Sequence, residues 1–207
     1  MANNTYVLLA KSTVGAAGAA SIDFTNIPQT GYTDLLLKTS LRAVSDVIDF
    51  YIQFNGATTN HSDKWLYGTG AAANSISNSN INAIGDRSSY TANVFSNGET
   101  YIPNYTSSNY KSVSSDIVTE NNATTALSLL QSGLWSNTAA ITSLKIIPSS
   151  GNIAANSTAY LYGISNVNTT PTVAPFATGG DIITNDGTYW YHAFLSTGTF
   201  TPAKTLS

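Results

Sequence analysis

Three observations predict an all-β fold, an antiparallel β-sandwich of jelly-roll-like form with a short C-terminal β arm. Apolar and polar residues alternate with period two in several stretches, most clearly over residues 47–55 (VIDFYIQFN), as a half-buried strand requires. Turn formers such as Asn55-Gly56 and Asn185-Asp186-Gly187 recur at intervals of roughly 8–12 residues. No stretch carries a convincing amphipathic helical period, and no repeat marks a solenoid or propeller.

Residues 5–14 (TYVLLAKSTV) form the first strand, and 15–18 are a loop of small residues. Residues 21–25 (SIDFT) alternate, and Ile27-Pro28 closes them, because proline cannot donate to a sheet ladder. Over 33–43 the spacing turns Leu35, Leu37 and Leu41 inward and Asp34, Lys38, Ser40 and Arg42 outward. In 47–55, Ile48, Phe50, Ile52 and Phe54 share one face, and the Asn55-Gly56 turn follows. Residues 64–68 (KWLYG) make a short strand, and 71–80 a polar, low-complexity loop of a length usually tied to contacts or function. Strand patterns resume at 91–103, interrupted by Asn97-Gly98, and at 110–119. Residues 123–135 fit a helix through Leu127, Leu130 and Leu134, or a strand through Leu127 and Leu129; Gly133 and the β-rich surroundings favour the strand. Residues 141–164 then predict a hairpin that closes the domain. Ile141, Leu144, Ile146 and Ile147 lead to Pro148 and the turn residues 149–152, and Ala159, Leu161 and Gly163 oppose Tyr160, Tyr162 and Ile164 on the return strand.

The composition shifts after Ile164. Residues 1–165 are therefore expected to form the β-sandwich domain, 166–178, with Pro171 and Pro175, an extended linker, and 179–207 a C-terminal β arm for docking. Twenty-nine residues without cysteine are too few for an independent core.

Hydrophobic residues make up 42% of the 207 and charged residues only 9%, with a net charge of −3. Asn, Ser and Thr supply the polar surface. The scattered lysines and arginines offer no basic face, so a nucleic-acid partner is not expected. Having no cysteine excludes disulfides, thiolate nucleophiles and zinc–thiolate sites. No apolar run reaches the roughly 18 residues of a membrane span. The run 6–10 mimics a signal peptide but lacks a basic n-region and is cut short by Lys11, so none is expected.

Two stretches carry a family likeness. Tyr101-Ile102-Pro103-Asn104-Tyr105-Thr106, then Asn109-Tyr110-Lys111-Ser112, Glu120-Asn121-Asn122 and Gly133-Leu134-Trp135, together with the closing segment 147–164, resemble a β-domain of tailed-bacteriophage virion structural proteins. The likeness covers roughly residues 5–165. In the arm, Gly179-Gly180-Asp181-Ile182, Gly187, Tyr189, His192, Phe194, Gly198, Thr199 and Phe200 resemble the entry motif of glycine-rich phage-fibre modules, although no glycine-rich stretch follows Phe200. The resemblance implies a virion surface protein made in the host cytoplasm: a head decoration (cement) protein or short head fibre, or alternatively a tail fibre or receptor-binding module for host glycan. A homo-oligomer is expected because so few charges are available to guard the sheet edges; the resemblance implies that it is a trimer, in contact with the major capsid protein or other virion proteins.

Candidates for chemistry are few. His61 stands beside Ser62 and near Asp63 in a polar stretch, but neighbours in sequence do not make a triad. The pairs Asp46/Asp49 and Asp116/Glu120 have the residue types of a glycosidase site, which needs two carboxylates facing a sugar. No calcium loop or phosphate-binding loop matches. Six Asn-x-Ser/Thr sequons, at Asn3, Asn60, Asn104, Asn122, Asn156 and Asn168, fit chance in so Asn-rich a chain. A non-enzymatic protein without cofactor or metal is therefore expected. Twelve tyrosines and three tryptophans suit anchoring or sugar stacking. Tyr101, Tyr105 and Tyr110 are the candidate glycan platform. Tyr189, Trp190, His192, Phe194 and Phe200 are the candidate interface of the arm.

Overall fold

The computed structural model describes residues 5–120, 126–166, 177–186 and 189–202. Contacts between Cα atoms divide the chain into a large unit, Tyr6–Ser165, and a smaller one made of Met1–Thr5 with Asn166–Ser207.

In the large unit the strands are β1 (Tyr6–Thr13), β2 (Ile22–Phe24), β3 (Tyr32–Ser40), β4 (Asp49–Phe54), β5 (His61–Gly68), β6 (Ala73–Asn78), β7 (Ile81–Ile84), β8 (Asn97–Ile102), β9 (Lys111–Glu120), β10 (Ala126–Trp135), β11 (Leu144–Pro148) and β12 (Thr158–Ser165). They form two antiparallel sheets, one of eight strands in the order β1-β12-β3-β8-β9-β10-β5-β6 and one of four in the order β2-β11-β4-β7. The sheets pack face to face as a β-sandwich-type fold. Leu35, Leu37, Ile102, Trp135 and Leu161 from the large sheet meet Phe24, Phe50, Ile52, Phe54, Leu144 and Ile146 from the small one. Alternation produces this layering: every second residue of β4, Phe50, Ile52 and Phe54, is buried, as the spacing predicts.

Four expectations need correction. Residues 141–164 are not a hairpin, because β11 pairs with β2 and β4 in the small sheet while β12 pairs with β1 and β3 in the large one. Residues 149–157 cross between layers, anchored by buried Ile153, which bridges to Ala19 and Ala43. The expected loop 71–80 holds β6, whose partner β5 supplies a complete antiparallel ladder. Its side chains are mostly exposed, so no apolar alternation announces it. Residues 91–96 are not strand, and Asn97-Gly98 opens β8 rather than breaking it. Gly98 is required by contact: a Cβ there would stand 2.7 Å from the Thr39 hydroxyl. The Asn55-Gly56 turn does form, with φ of 53° and 71°, but it carries the chain from β4 to β5 in the other sheet. Asn55 Oδ1 accepts from the backbone N–H of Thr142 (2.8 Å) and Ser143 (3.1 Å), pinning that corner to the segment that leads into β11.

The smaller unit holds β13 (Ala177–Thr178), β14 (Ile182–Asn185), β15 (Trp190–Ala193) and β16 (Thr201–Pro202), pairing β13 with β16 and β14 with β15. Of the expected linker, residues 167–176 lie outside the described residues, and 177–178 already belong to β13. Within this unit Asp181 Oδ2 accepts from the N–H of Leu195 (2.6 Å) and Ser196 (3.2 Å), and the Phe200 ring meets His192 edge-on at 5.1 Å.

Tyr105 ties the loop between β8 and β9 to the core. Its ring is fully buried and its hydroxyl donates to the Pro28 carbonyl. Tyr105→Phe should cost about 1 kcal/mol, the worth of one hydrogen bond, and Tyr105→Ala about 3–5 kcal/mol through the cavity, both read from urea unfolding midpoints.

Candidate functional site

The outer face of the eight-stranded sheet brings together several of the candidate side chains. Register places Leu8, Tyr162, Leu36, Tyr101, Ser114, Ser132, Lys64 and Ser77 in one cross-strand row. The adjacent row runs Lys11, Tyr160, Lys38, Glu99, Asp116, Leu130, Leu66 and Ser75. The face therefore divides into an aromatic half over β1, β12, β3 and β8 and a serine-rich half over β9, β10, β5 and β6. Leu66 and Leu130, 59% and 57% exposed, pair directly in the second half.

Polar partners fix the aromatic half. Lys38 Nζ donates to Glu99 Oε2 at 2.5 Å, and this bond raises the lysine pKa. Tyr101 Oη donates to Asp34 Oδ2 at 2.9 Å, and Asp34 Oδ1 caps the Asn104 N–H at 2.7 Å. Burial first, then that bond to Asp34, raises the Tyr101 pKa. The two ion-paired or hydrogen-bonded carboxylates leave the patch without strong net charge. It offers ring faces beside fixed hydroxyl, carboxylate and ammonium groups, the chemistry that binds a polar surface with apolar patches.

Of the expected glycan platform, Tyr101 belongs to this face and Tyr110 is exposed just before β9, but Tyr105 is 0% exposed and cannot stack on a ligand. Tyr105 packs into the main core, its hydroxyl donating to the Pro28 carbonyl. Tyr6, Tyr160 and Tyr162 join the site instead. The alternation of 159–164 already places Tyr160 and Tyr162 together, whereas Tyr6 needs the β1–β12 register.

His61 and Asp63 are not in a polar loop. Both lie on the inner face of β5, with Ser62 turned to the outer face, so no triad geometry exists. His61 stacks on Trp135 with centroids 6.4 Å apart, and burial lowers its pKa. Asp63 Oδ2 accepts from Trp65 Nε1 (2.6 Å), Gln131 Nε2 (2.9 Å) and Asn82 Nδ2 (3.2 Å), and Oδ1 from the Asn78 N–H (3.0 Å). Burial raises its pKa and these donors oppose the rise. Asp116 and Glu120 are exposed on β9, while exposed Asp46 accepts from Ser89 Oγ at 2.6 Å. Asp49 is half-buried, and burial raises its pKa. Among the described residues no group of three His, Cys, Asp or Glu stands close enough to hold a metal ion.

Sequence reasoning missed Asp86. It is fully buried, and neither carboxylate oxygen has a hydrogen-bond partner among the described residues. Its backbone is bridged to that of Arg42, whose guanidinium donates to the carbonyls of Ser88, Tyr90, Thr91 and Val94 at 2.9–3.1 Å. In the smaller unit, Tyr189 and Phe200 are exposed, Phe194 is 38% exposed, and Trp190 and His192 are half-buried. His192 Nδ1 lies 2.5 Å from the Gly179 carbonyl. Compared with protein-family models, with curated proteins and with solved structures, the chain finds no match.

Burial pushes the Asp86 pKa up to about 6, against the opposing pull of Arg42. A folded-state value above the unfolded one favours the protonated form, so this contribution is full below pH 4 and lost as the pH rises through 6. Relative to Asp86→Asn, the native chain should lose roughly 2–3 kcal/mol of stability between pH 4 and pH 7, at about 1.4 kcal/mol per unit. Denaturation at several pH values measures the difference.

Proposed function

We propose that this chain is a non-enzymatic structural protein of the tailed-phage virion surface, a head decoration protein or short head fibre seated on the major capsid protein as a homo-oligomer. The observation that carries the reading is the strand order. Setting aside the extension β9-β10-β5-β6 leaves two four-stranded sheets, β1-β12-β3-β8 and β2-β11-β4-β7. Consecutive strands of that reduced set alternate between sheets except at β4 and β7, which pair within the small sheet, a jelly-roll-like arrangement of the kind used in viral capsid and lectin domains. Fold analogy alone assigns no function. The sequence likeness supports the same reading, and its motif residues Ile102, Tyr105, Lys111 and Trp135 are all buried framework. The trimer rests on the likeness. Cryo-EM or immunogold labelling of particles tests the placement, and signal confined to the tail overturns it.

The arm is the proposed docking element. Ile182, Ile183, Tyr189, Tyr191, Phe194 and Phe200 are exposed, and burying each large side chain is worth about 1.5–3 kcal/mol. Ending the chain at Asn168 should leave the sandwich folded by circular dichroism and weaken particle binding. Unimpaired binding would make the arm a passive tail.

A second reading, a tail-borne module for host glycan, draws on the aromatic half of the outer sheet face. Saturable binding on a glycan array, abolished by Tyr101→Ala and by Tyr162→Ala in folded protein, would favour it over the decoration reading.

A further inference from the structure

The sandwich has four sheet edges, and three of them are guarded. Edge β1 carries exposed Lys11 and an irregularity between Leu8 and Ala10. Edge β2 is three residues long, and Asp23 on it pairs with Lys145 at 3.3 Å. Edge β7 is buried at all four positions. Charges, bulges, shortness and coverage are the usual ways of blocking an edge from further pairing. Edge β6 has none of them. It is six residues long, has an unbroken register with β5, and pairs with no other strand among the described residues. No charged side chain or proline stands between Lys64 and Asp86. Ile76, at its centre, is 44% exposed on the inward-facing side of the strand.

We infer that β6 is a self-association edge, pairing antiparallel with β6 of a second copy about a two-fold axis at Ile76. The sequence fits its own copy in that register. Antiparallel pairing keeps both outer faces on one side only when residues of like facing are opposed. Centring on Ser75 or on Ile76 pairs five residues either way, and only the second opposes the apolar side chains directly. Ile76 then meets Ile76 of the second copy, Asn74 meets Asn78, and Ser75 meets Ser77. On the inner side the row reads Trp65, Ile76, Ile76, Trp65, because Trp65 is the β5 partner of Ile76. On the outer side Lys64 and its bond to Ser77 Oγ (2.6 Å) come opposite Ser75 and Leu66, away from the second Lys64. No like charges face each other, and free N–H and C=O groups of both edges find partners. The contact is isologous, so it joins copies in pairs; in a trimer it would link two trimers through such edges. It does not depend on the virion reading.

The full chain, weighed by light scattering or sedimentation at micromolar concentration, should form an even-numbered oligomer. Ile76→Lys places two ammonium groups on the axis and should halve the mass with the β spectrum unchanged. Because the chain lacks cysteine, Ile76→Cys provides an independent measurement. Directly opposed antiparallel residues lie about 4.5–5.5 Å apart at Cα, within disulfide range. Mild oxidation should therefore give a covalent dimer from Ile76→Cys and none from Lys11→Cys on the guarded edge. A native mass that is monomeric or trimeric overturns the inference, as does an Ile76→Cys protein that crosslinks no better than Lys11→Cys.

Discussion

A four-stranded sheet has to close the inner face of an eight-stranded one, and the rest of the sandwich follows from that mismatch. Over β1, β12, β3 and β8 the two layers match, and the main core lies there. Beyond β8 the large sheet is covered by β7, with Phe54 of β4 also meeting Trp135 of β10 at 5.6 Å. All four residues of β7 are buried, and Ile84 forms a second core with Trp65, Ile117 and Leu129. Gly133 makes room for it, since a Cβ there would stand 2.8 Å from Val113 and 3.0 Å from Ile81. Past β5 lies only β6, at the edge of the sheet, and most of its side chains are exposed.

Thin coverage also explains the buried polar groups. The inner face of β5, β9 and β10 carries Asp63, Ser115, Thr119 and Gln131, where an aliphatic core would ordinarily stand. Most buried polar atoms in folded proteins find partners, although Thr119 Oγ1 and Gln131 Oε1 have none among the described residues. Asp63 recruits four donors, and Ser115 bonds Thr100 at 2.9 Å. Lys111 does the same at the other end of β9, giving its ammonium to the carbonyls of Ser107 and Asn109 at 2.7 and 2.6 Å. Burial lowers its pKa, yet both bonds suit the charged form. These networks set strand register more specifically than aliphatic packing does, because each fixes a direction as well as a distance.

What the amino-acid pattern reveals is whatever is buried on one side only. Strand β4 and the return strand β12 are legible because water on one face and core on the other impose strict alternation. Strand β7 is buried throughout and β6 is mostly exposed, so neither shows apolar alternation, and both hide inside a stretch of Ser and Asn. Sheet membership is invisible for a different reason: β11 and β12 look like a hairpin because turn residues record that the chain bends, not which layer it enters. Asn60, Asn104 and Asn156 resemble sequon asparagines, but all three take φ between 49° and 69°, where asparagine is among the few side chains tolerated. At the outer face, two of the four tyrosines could be grouped from β12 alone, while Tyr6 and Tyr101 arrive from strands far apart in the chain.

Strand β12 comes last in the sandwich yet lies second in the large sheet, between β1 and β3. Its partners precede it by more than a hundred residues, as in Tyr6 with Ile164 and Leu37 with Leu161. Loops of that length must close before the central ladder gains any hydrogen bond, and such topologies fold in milliseconds to seconds rather than microseconds. The β5–β6 and β9–β10 pairs are local and need no such closure. Loop closure therefore favours pairing in the extension ahead of the sandwich proper, so the unguarded edge should form before the core that anchors it. A growing chain is thus exposed to crowding by its siblings for as long as β12 is missing, which makes dilution during refolding decisive for yield.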